Sequence, residues 1–565
     1  MAIAAAIFVG GVVAAPTASA HATVVSTDPA DGVVLSTAPD HVSITYDEAV
    51  ELQSGALRVF APDGSRADSG SATHVGTQSN SATVSLHSGL ENGTYTVSWR
   101  VVSADSHPVH GAFTFSIGDA STPAGAAVTA ASGGSTTVGV LFGAARWTAY
   151  LGFALLAGSA ALLLAFAPKL ARDQRARRVL AGGWFALLLG TIAALLLQGP
   201  YGAGLGLGRA FDADVIRATL HTRLGQALAW RLVLLGVAGL LVSWIAARLA
   251  TADAKTRQVA GIGGIGLATA LAATWAAADH SGTGRQVALA LPADILHLLA
   301  MAAWIGGLAM LTAVVLRSTE LSDGERTTAV NRFSTLAFCC VAVLAATGVY
   351  EGWRQVGTLS ALTGTSYGRI LLVKVSCFAA VIALGWYARR ELAARAAARA
   401  AAGTAAGTPA SAGPADLRTL RRSVAAEFGI ALAILAVTAL LVESQPAREA
   451  TAAPVNASVP FDTGSAGGSG TVNVIVDPAK VGPDTIHVYI LGANGQQEAV
   501  PEVDMALSLP ARQLGPLTVK LDNTGPGHYT GSNATIPFAG AWQVIVTVRT
   551  TAVDEATVIV NAQVK

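Results

Sequence analysis

Two kinds of hydrophobic pattern divide this chain. Between about residues 138 and 443, apolar residues run in eight long stretches: about 138–166, 180–199, 225–247, 259–279, 289–316, 333–354, 368–388 and 424–443. Each is close to or above the roughly 20 residues that a helix needs to cross a bilayer. On either side the pattern changes to short alternating runs. The first set is Val42–Tyr46, Ala56–Phe60, Thr83–Leu86, Tyr95–Val102 and Ala112–Ile117, punctuated by Asp31-Gly32, Asp63-Gly64 and Asn92-Gly93. The second is Thr471–Val476, Thr485–Leu491, Met505–Leu509, Leu517–Leu521, Ala541–Val548 and Glu555–Val560. Short runs of period two with Gly and Pro turns predict β-sandwiches or barrels. The pattern as a whole predicts a multidomain membrane protein, with an eight-helix transmembrane bundle between two β-domains.

Composition supports a lipid bilayer as the surroundings. Charged residues make up 13% of the chain and the mean hydropathy is +0.51, whereas soluble domains carry about 25% charged residues. A net charge of +1 gives no argument for a nucleic-acid partner. The three cysteines, Cys339, Cys340 and Cys377, lie in apolar runs, so no disulfide framework or zinc pattern is expected. They are soft ligands suited to Cu(I), but Cys339 and Cys340 point about 100° apart on a helix.

Residues 1–15 are apolar but short for a span, and Ala18-Ser19-Ala20 is an A-x-A cleavage site. This predicts a signal peptide over 1–20. No Lys or Arg precedes the apolar core, and an uncleaved anchor is the alternative. Cleavage after Ala20 makes His21 the first residue, with an amine and a ring nitrogen able to chelate one ion. The expected organisation is then a β-domain over 21–118, a flexible linker over 119–137, the bundle over 138–444, a linker over 445–456 and a second β-domain over 457–565. Lys and Arg concentrate in loops 167–179, 248–258, 317–332 and 389–423. The positive-inside rule therefore puts both β-domains on the extracytoplasmic side of the cell membrane.

Asp105 and His107, in Ser103-Ala104-Asp105-Ser106-His107-Pro108, lie between two strand-like runs. On an extended chain, i and i+2 point to one side, and a carboxylate beside an imidazole suits a divalent metal. The same residues can equally organise the turn before Pro108. With His21 they make an amine, two imidazoles and a carboxylate, a tetragonal N/O set that favours Cu(II). His110 is a further candidate partner. Within the bundle, Asp279-His280, the i, i+3 pair Asp294 and His297, and Glu351 all fall toward the outer leaflet. Ionisable groups are costly there and often mark ion pathways. The alternative is that they reach water at the interface or pair with Arg285 and Arg354. Lys374 should sit inside the membrane and needs a carboxylate partner. Met301 and Met310 are too few for a methionine ladder.

Three groups of residues resemble known families. His21-Ala-Thr-Val-Val-Ser-Thr-Asp-Pro-Ala-Asp-Gly32, Ile44-Thr-Tyr-Asp-Glu48-Ala-Val50 and Trp99–Pro108 resemble the CopC family of exported copper-binding proteins. This implies a Greek-key β-barrel with Cu(II) held by His21, Asp105 and His107, and Glu48 as an axial or supporting candidate. The first β-domain has no Met, so the Met-rich Cu(I) site of some CopC proteins has no counterpart here. Asp294…His297…Trp304-Ile-Gly-Gly307 and Tyr367–Lys374 resemble the CopD family. This implies a membrane copper path through His280, Asp294, His297 and Glu351, with Cu(I) as a further form of the metal there. Gly527-His-Tyr529 and Gly540-Ala-Trp542 resemble the YtkA-like, immunoglobulin-like domain that follows CopC and CopD parts in fusions of the YcnJ type. In that sandwich His487, Met505 and His528 are candidate copper contacts if the fold gathers them; the alternative, favoured here, is that they are core or surface positions of an accessory sandwich.

The expected function is capture of Cu(II) outside the cell and its passage across the membrane, in copper uptake, homeostasis or resistance. Exported copper chaperones are the expected partners, and no enzymatic activity is expected. No G-x-x-x-x-G-K-[ST] or aspartyl-phosphate motif occurs, so the energy must come from gradients or from binding. A copper sensor or store is one alternative. An N-terminal-His copper monooxygenase is another, disfavoured because Asp105 would fill a position that oxygen needs.

Overall fold

Alternating burial builds both β-domains. A computed structural model describes residues 22, 24–31, 33–104, 106–118, 135–282, 286–403, 414–444, 446–450, 455–465, 468–477, 479, 481–492 and 497–564. These fall into two compact units. The helical unit runs from about 134 to Ala447 and includes Ala104–Pro108. Of the described residues, the β-rich unit holds those up to Ser103, those from Val109 to 118, and those from Arg448 onward.

In the first β-domain, one sheet has the order β1 (Val24–Asp28), β3 (His41–Tyr46), β7 (Gln78–Leu86), β6 (Asp68–Val75). The other runs β2 (Val34–Leu35), β9 (Pro108–Ile117), β8 (Gly93–Ser103), β4 (Val50–Glu51), with β5 (Leu57–Phe60) also on β8. Most neighbours are distant in sequence, so the chain crosses between sheets as in a Greek key. Val42, Ile44 and Tyr46 point inward from β3 and meet Val59, Val97 and Phe115 in one core. Tyr46 packs edge-on against Trp99 with centroids 5.7 Å apart.

The second β-domain is a sandwich of two sheets. One is ordered β10 (Val455–Asp462), β11 (Ser469–Asp477), β12 (Gly482–Gly492), β16 (His528–Ile536), β15 (Asp522–Gly525). The other is β14 (Leu514–Val519), β13 (Glu502–Leu509), β17 (Gly540–Arg549), β18 (Glu555–Val564). Ile486, Val488 and Ile490 of β12 share the core with Met505 and Leu507 of β13 and the fully buried Trp542. The Gly of the Gly527-His-Tyr529 signature has φ +66°, and a Cβ there would collide with the carbonyls of Ile490 and Glu498. No other residue type fits this turn. β10 begins at Val455, inside the segment expected to be linker. Met505 points into the core, while His487 and Tyr489 alternate with the core residues of β12 and so take its other face. Met505 therefore does not join the two histidines and is a core position.

Among the described residues the helical unit has eight helices long and apolar enough to span a membrane: Thr136–Ala165, Gln174–Ala203, Arg223–Thr251, Ala254–Ala276, Val287–Arg317, Asp323–Val356, Ser366–Glu391 and Arg418–Glu443. All eight coincide with the apolar stretches. The fifth is central, with 78% of its apolar window buried, against 6% for the seventh. Close packing of the first span on the fifth needs residues without side chains. A Cβ on Gly158 would strike the carbonyl of Ala302, and one on Gly306 the carbonyl of Ala154. The first span takes a π-turn at Ala154–Gly158, at this contact. Small residues that let backbones touch are the usual means of helix association in lipid.

Gly306→Val should therefore separate the first and fifth spans. The expected result is a lower melting temperature of the detergent-solubilised protein and a smaller monodisperse fraction on size exclusion. Gly266→Val, on an open helix face, should change neither.

Candidate metal centre and membrane cavity

Between β8 and β9, Ala104 lies in a turn and Ser106 in a bend. Ser106 has φ +72°. His21 and Asp105 lie outside the described residues. His107 is buried, and its Nε2–H donates to the carbonyl of Val442 at 2.8 Å. A carbonyl only accepts, so Nε2 carries the proton and Nδ1 the lone pair. Ser106 Oγ donates to the carbonyl of Ala278 at 2.7 Å. The Arg223 guanidinium donates to the carbonyls of Ala104 and Ala277, both at 3.1 Å. Glu48 is half-buried after β3, and His110 is exposed on β9.

Next to these carbonyls lies a cavity of about 750 Å³, bounded by residues of the first, fourth, fifth, sixth, seventh and eighth spans. Its walls are mostly apolar, with Trp275, Met301 and Trp304 among them. Its polar members include Tyr150, Asp279, Ser281, Asp294, His297, Glu351 and Lys374, with Gln355, Thr358, Tyr367 and Thr438. The i, i+3 spacing of Asp294 and His297 does place both on the cavity wall. Lys374 lies within electrostatic reach of Asp294 and Glu351, which supplies the carboxylate partners that its sequence position demands. Glu351 is also 3.9 Å from Arg354, one of the pairings considered as an alternative to a metal role. The backbone of His280 opens a 3-10 turn, His280–Gly282; its side chain lies outside the description, as does Arg285. Among the described residues no three His, Cys, Asp or Glu side chains converge to hold a metal ion. The cavity thus gathers ionisable groups without caging a site. None of the three cysteines is among its lining residues.

His297 is oriented by a single contact. Its Nδ1 lies 2.8 Å from Thr347 Oγ1, whose own hydrogen goes to the carbonyl of Val343 at 2.7 Å. The hydroxyl therefore accepts from Nδ1–H, and the lone pair falls on Nε2. A hydrogen bond from one ring nitrogen is what fixes the tautomer of a metal-ligating histidine.

Two buried cations escaped the sequence reading. Arg146, in the first span, pairs with Asp279 at 3.0 Å, so Asp279 is held from within the bundle. Arg231, in the third, lies 3.5 Å over the Trp275 ring and donates to Thr274 Oγ1 at 2.8 Å. Their signal was available: each is a lone arginine inside an apolar stretch.

The chain matches the CopC domain over residues 24–118, the N-terminal domain of copper resistance protein D-like proteins over 136–287, and copper resistance protein D over 327–441. Copper transport protein CutJ of Bacillus subtilis (strain 168) is 28% identical over 546 residues, 94% of this chain and 93% of that one. Copper resistance protein C of Pseudomonas syringae pv. tomato is 32% identical over 116 residues, 20% of this chain and 91% of that one. The crystal structure of CopC from Methylosinus trichosporium OB3b is 23% identical and covers 18% of this chain and 99% of its own, with a TM-score of 0.16. A β-sandwich of the CopC type joined to a polytopic helical bundle defines a copper-handling membrane protein. The chain belongs to the CopC/CopD copper-resistance family, with both parts in one polypeptide.

The ion pair between Arg146 and Asp279 gives a direct test of the cavity's wall. Removing one partner of a buried pair costs about 3–5 kcal/mol, while removing both is often nearly neutral. Arg146→Met should markedly lower the melting temperature in detergent, and adding Asp279→Asn should recover at least half of the loss.

Proposed function

We propose that this protein captures Cu(II) outside the cell at His21, Asp105 and His107 and delivers it inward through the membrane cavity. The observation that carries this reading is the anchoring of the metal-motif turn. Ser106 and His107 bond to Ala278 and Val442; Ala278 precedes the cavity residue Asp279, and Val442 itself lines the cavity. A copper ion leaving Nδ1 of His107 has a carboxylate-lined space beside it. Asp294 and Glu351 attract the cation, and Nε2 of His297 offers a nitrogen ligand. Lys374 balances the carboxylates while no metal is present and gives way when a dication enters. Glu48 and His110 support the capture site from outside its ligand set, and His280 joins the entrance to the path. The termini and both β-domains lie on the extracytoplasmic side, in keeping with the distribution of Lys and Arg. The names of the relatives support copper as the cargo.

A deletion strain should contain less copper than the wild type by elemental analysis; more copper, or no change, would sink the inward reading. His107→Ala should abolish the Cu(II) bound at the N-terminal capture site of the purified protein and reproduce the deletion. His297→Ala should keep that Cu(II) and still reproduce the deletion. N-terminal sequencing of the mature chain should begin at His21, since any residue before it removes the amine chelate.

A further inference from the structure

The C-terminal sandwich holds a group of side chains that the capture-and-passage reading does not use. On the face of β12 and β16 turned away from the core, Tyr489 stands opposite His528 and His487 opposite Thr530. Directly opposed residues of an antiparallel pair share one face, so all four side chains are neighbours. Nδ1 of His487 lies 3.1 Å from Nε2 of His528. Thr530 Oγ1 is 3.4 Å from the first nitrogen and 3.5 Å from the second.

We propose that His487 Nδ1, His528 Nε2 and Thr530 Oγ1 form a second metal site on the C-terminal domain, one that takes Cu(II). The three atoms make a nearly equilateral triangle, and a circle of about 1.9 Å radius passes through them. Metal–imidazole distances are about 2.0–2.1 Å, as for zinc. An ion at that distance from both nitrogens sits just off the plane of the triangle. The angle at the metal between the two nitrogens is then near a right angle. That suits adjacent positions of a tetragonal ion and excludes the linear two-ligand arrangement. Among divalent first-row ions, nitrogen sites bind Cu(II) most strongly.

The rings are held in place before any metal arrives. Tyr489 stacks on His528 with centroids 4.2 Å apart and planes 11° from parallel. Thr524 Oγ1 donates to the carbonyl of His528 at 3.2 Å. Burial, with His487 beside it, pushes the His528 imidazole down to about 4. The ring is therefore neutral at ordinary pH and has a lone pair to give. His487 is half-buried and provides the approach from solvent.

The choice of copper rests on the reading of the chain as a copper protein; the triangle itself does not. Full-length protein in detergent, titrated with copper sulfate alone, separates the two ideas. Both sites together predict two tightly bound Cu(II) per chain by equilibrium dialysis, falling to one in His107→Ala and to none in His107→Ala with His487→Gln. The copper left in His107→Ala should show an electron paramagnetic resonance spectrum with splitting from two imidazole nitrogens. His528→Gln should remove it too, and Thr530→Val should weaken it about tenfold. His487→Gln is the safer variant because its side chain is half-exposed, and an unchanged melting temperature without copper shows that it folds. If His487→Gln leaves both stoichiometry and spectrum as in the parent protein, the second site is wrong and the capture site stands. If copper is lost in His487→Gln while His107→Ala changes nothing, the capture site is wrong and this one stands.

Discussion

A charge inside a lipid-facing bundle has to be compensated, by another charge or by polar and aromatic groups, because desolvation costs several kcal/mol per ion. Lys374 lies within an otherwise apolar seventh span. Its compensation comes from Asp294 of the fifth span and Glu351 of the sixth. Arg146 of the first span faces the same problem and meets Asp279, just beyond the end of the fourth. These contacts fix which span ends come together, and they leave the cavity where the carboxylates meet. Where no charges act, contact is made by backbone, as between Gly158 and Ala302. Compensation around the cavity and close packing beside it therefore divide the work of holding the bundle.

Helix ends explain where the metal-motif turn is anchored. The last carbonyls of a helix have no partner within it and carry the negative end of the helix dipole. Ala277 and Ala278 follow the end of the fourth span, and Val442 is in the last turn of the eighth. Their donors are the hydroxyl of Ser106, a ring nitrogen of His107 and the guanidinium of Arg223. One hydrogen bond thus satisfies a helix end and also sets the tautomer of His107. His297 is set in the same way by Thr347. His107 and His297 of the proposed route are both held through the nitrogen that would not touch the metal.

Much of this was legible in the sequence, for identifiable reasons. Long apolar runs have a single solution in lipid, so all eight spans could be read directly. The spacing of Asp294 and His297 gave their shared face, because helical periodicity is local. Strands with clean alternation, such as His41–Tyr46, were also plain. Asp68–Val75 and His528–Ile536 were not, because their Gly, Ser, Asn and Thr content hides a strand that is stabilised mainly by pairing with β7 and β12. The pairing of Arg146 with Asp279 crosses 133 residues and leaves no periodic trace. The positive φ of Ser106 was invisible because serine seldom adopts it, and bonding to a distant helix end holds it there. Met505 was grouped with His487 and His528 by ligand type alone, and strand alternation sends it to the other side of the sheet.

The spread of the ionisable groups bears on what the cavity can do with an ion. A store holds its metal best when several ligands converge on one point. Asp294, His297, Glu351 and Lys374 instead come from three spans and are distributed around a space of about 750 Å³. An ion among them keeps part of its water and exchanges ligands singly. Passage requires binding that is favourable enough for entry and weak enough for departure. A fixed cation among the carboxylates lowers the net attraction and shortens the stay of a dication. A wall of Trp275, Met301 and Trp304 offers few competing polar contacts. Under the proposed function, these features fit passage better than storage, with Lys374 assisting release of the ion.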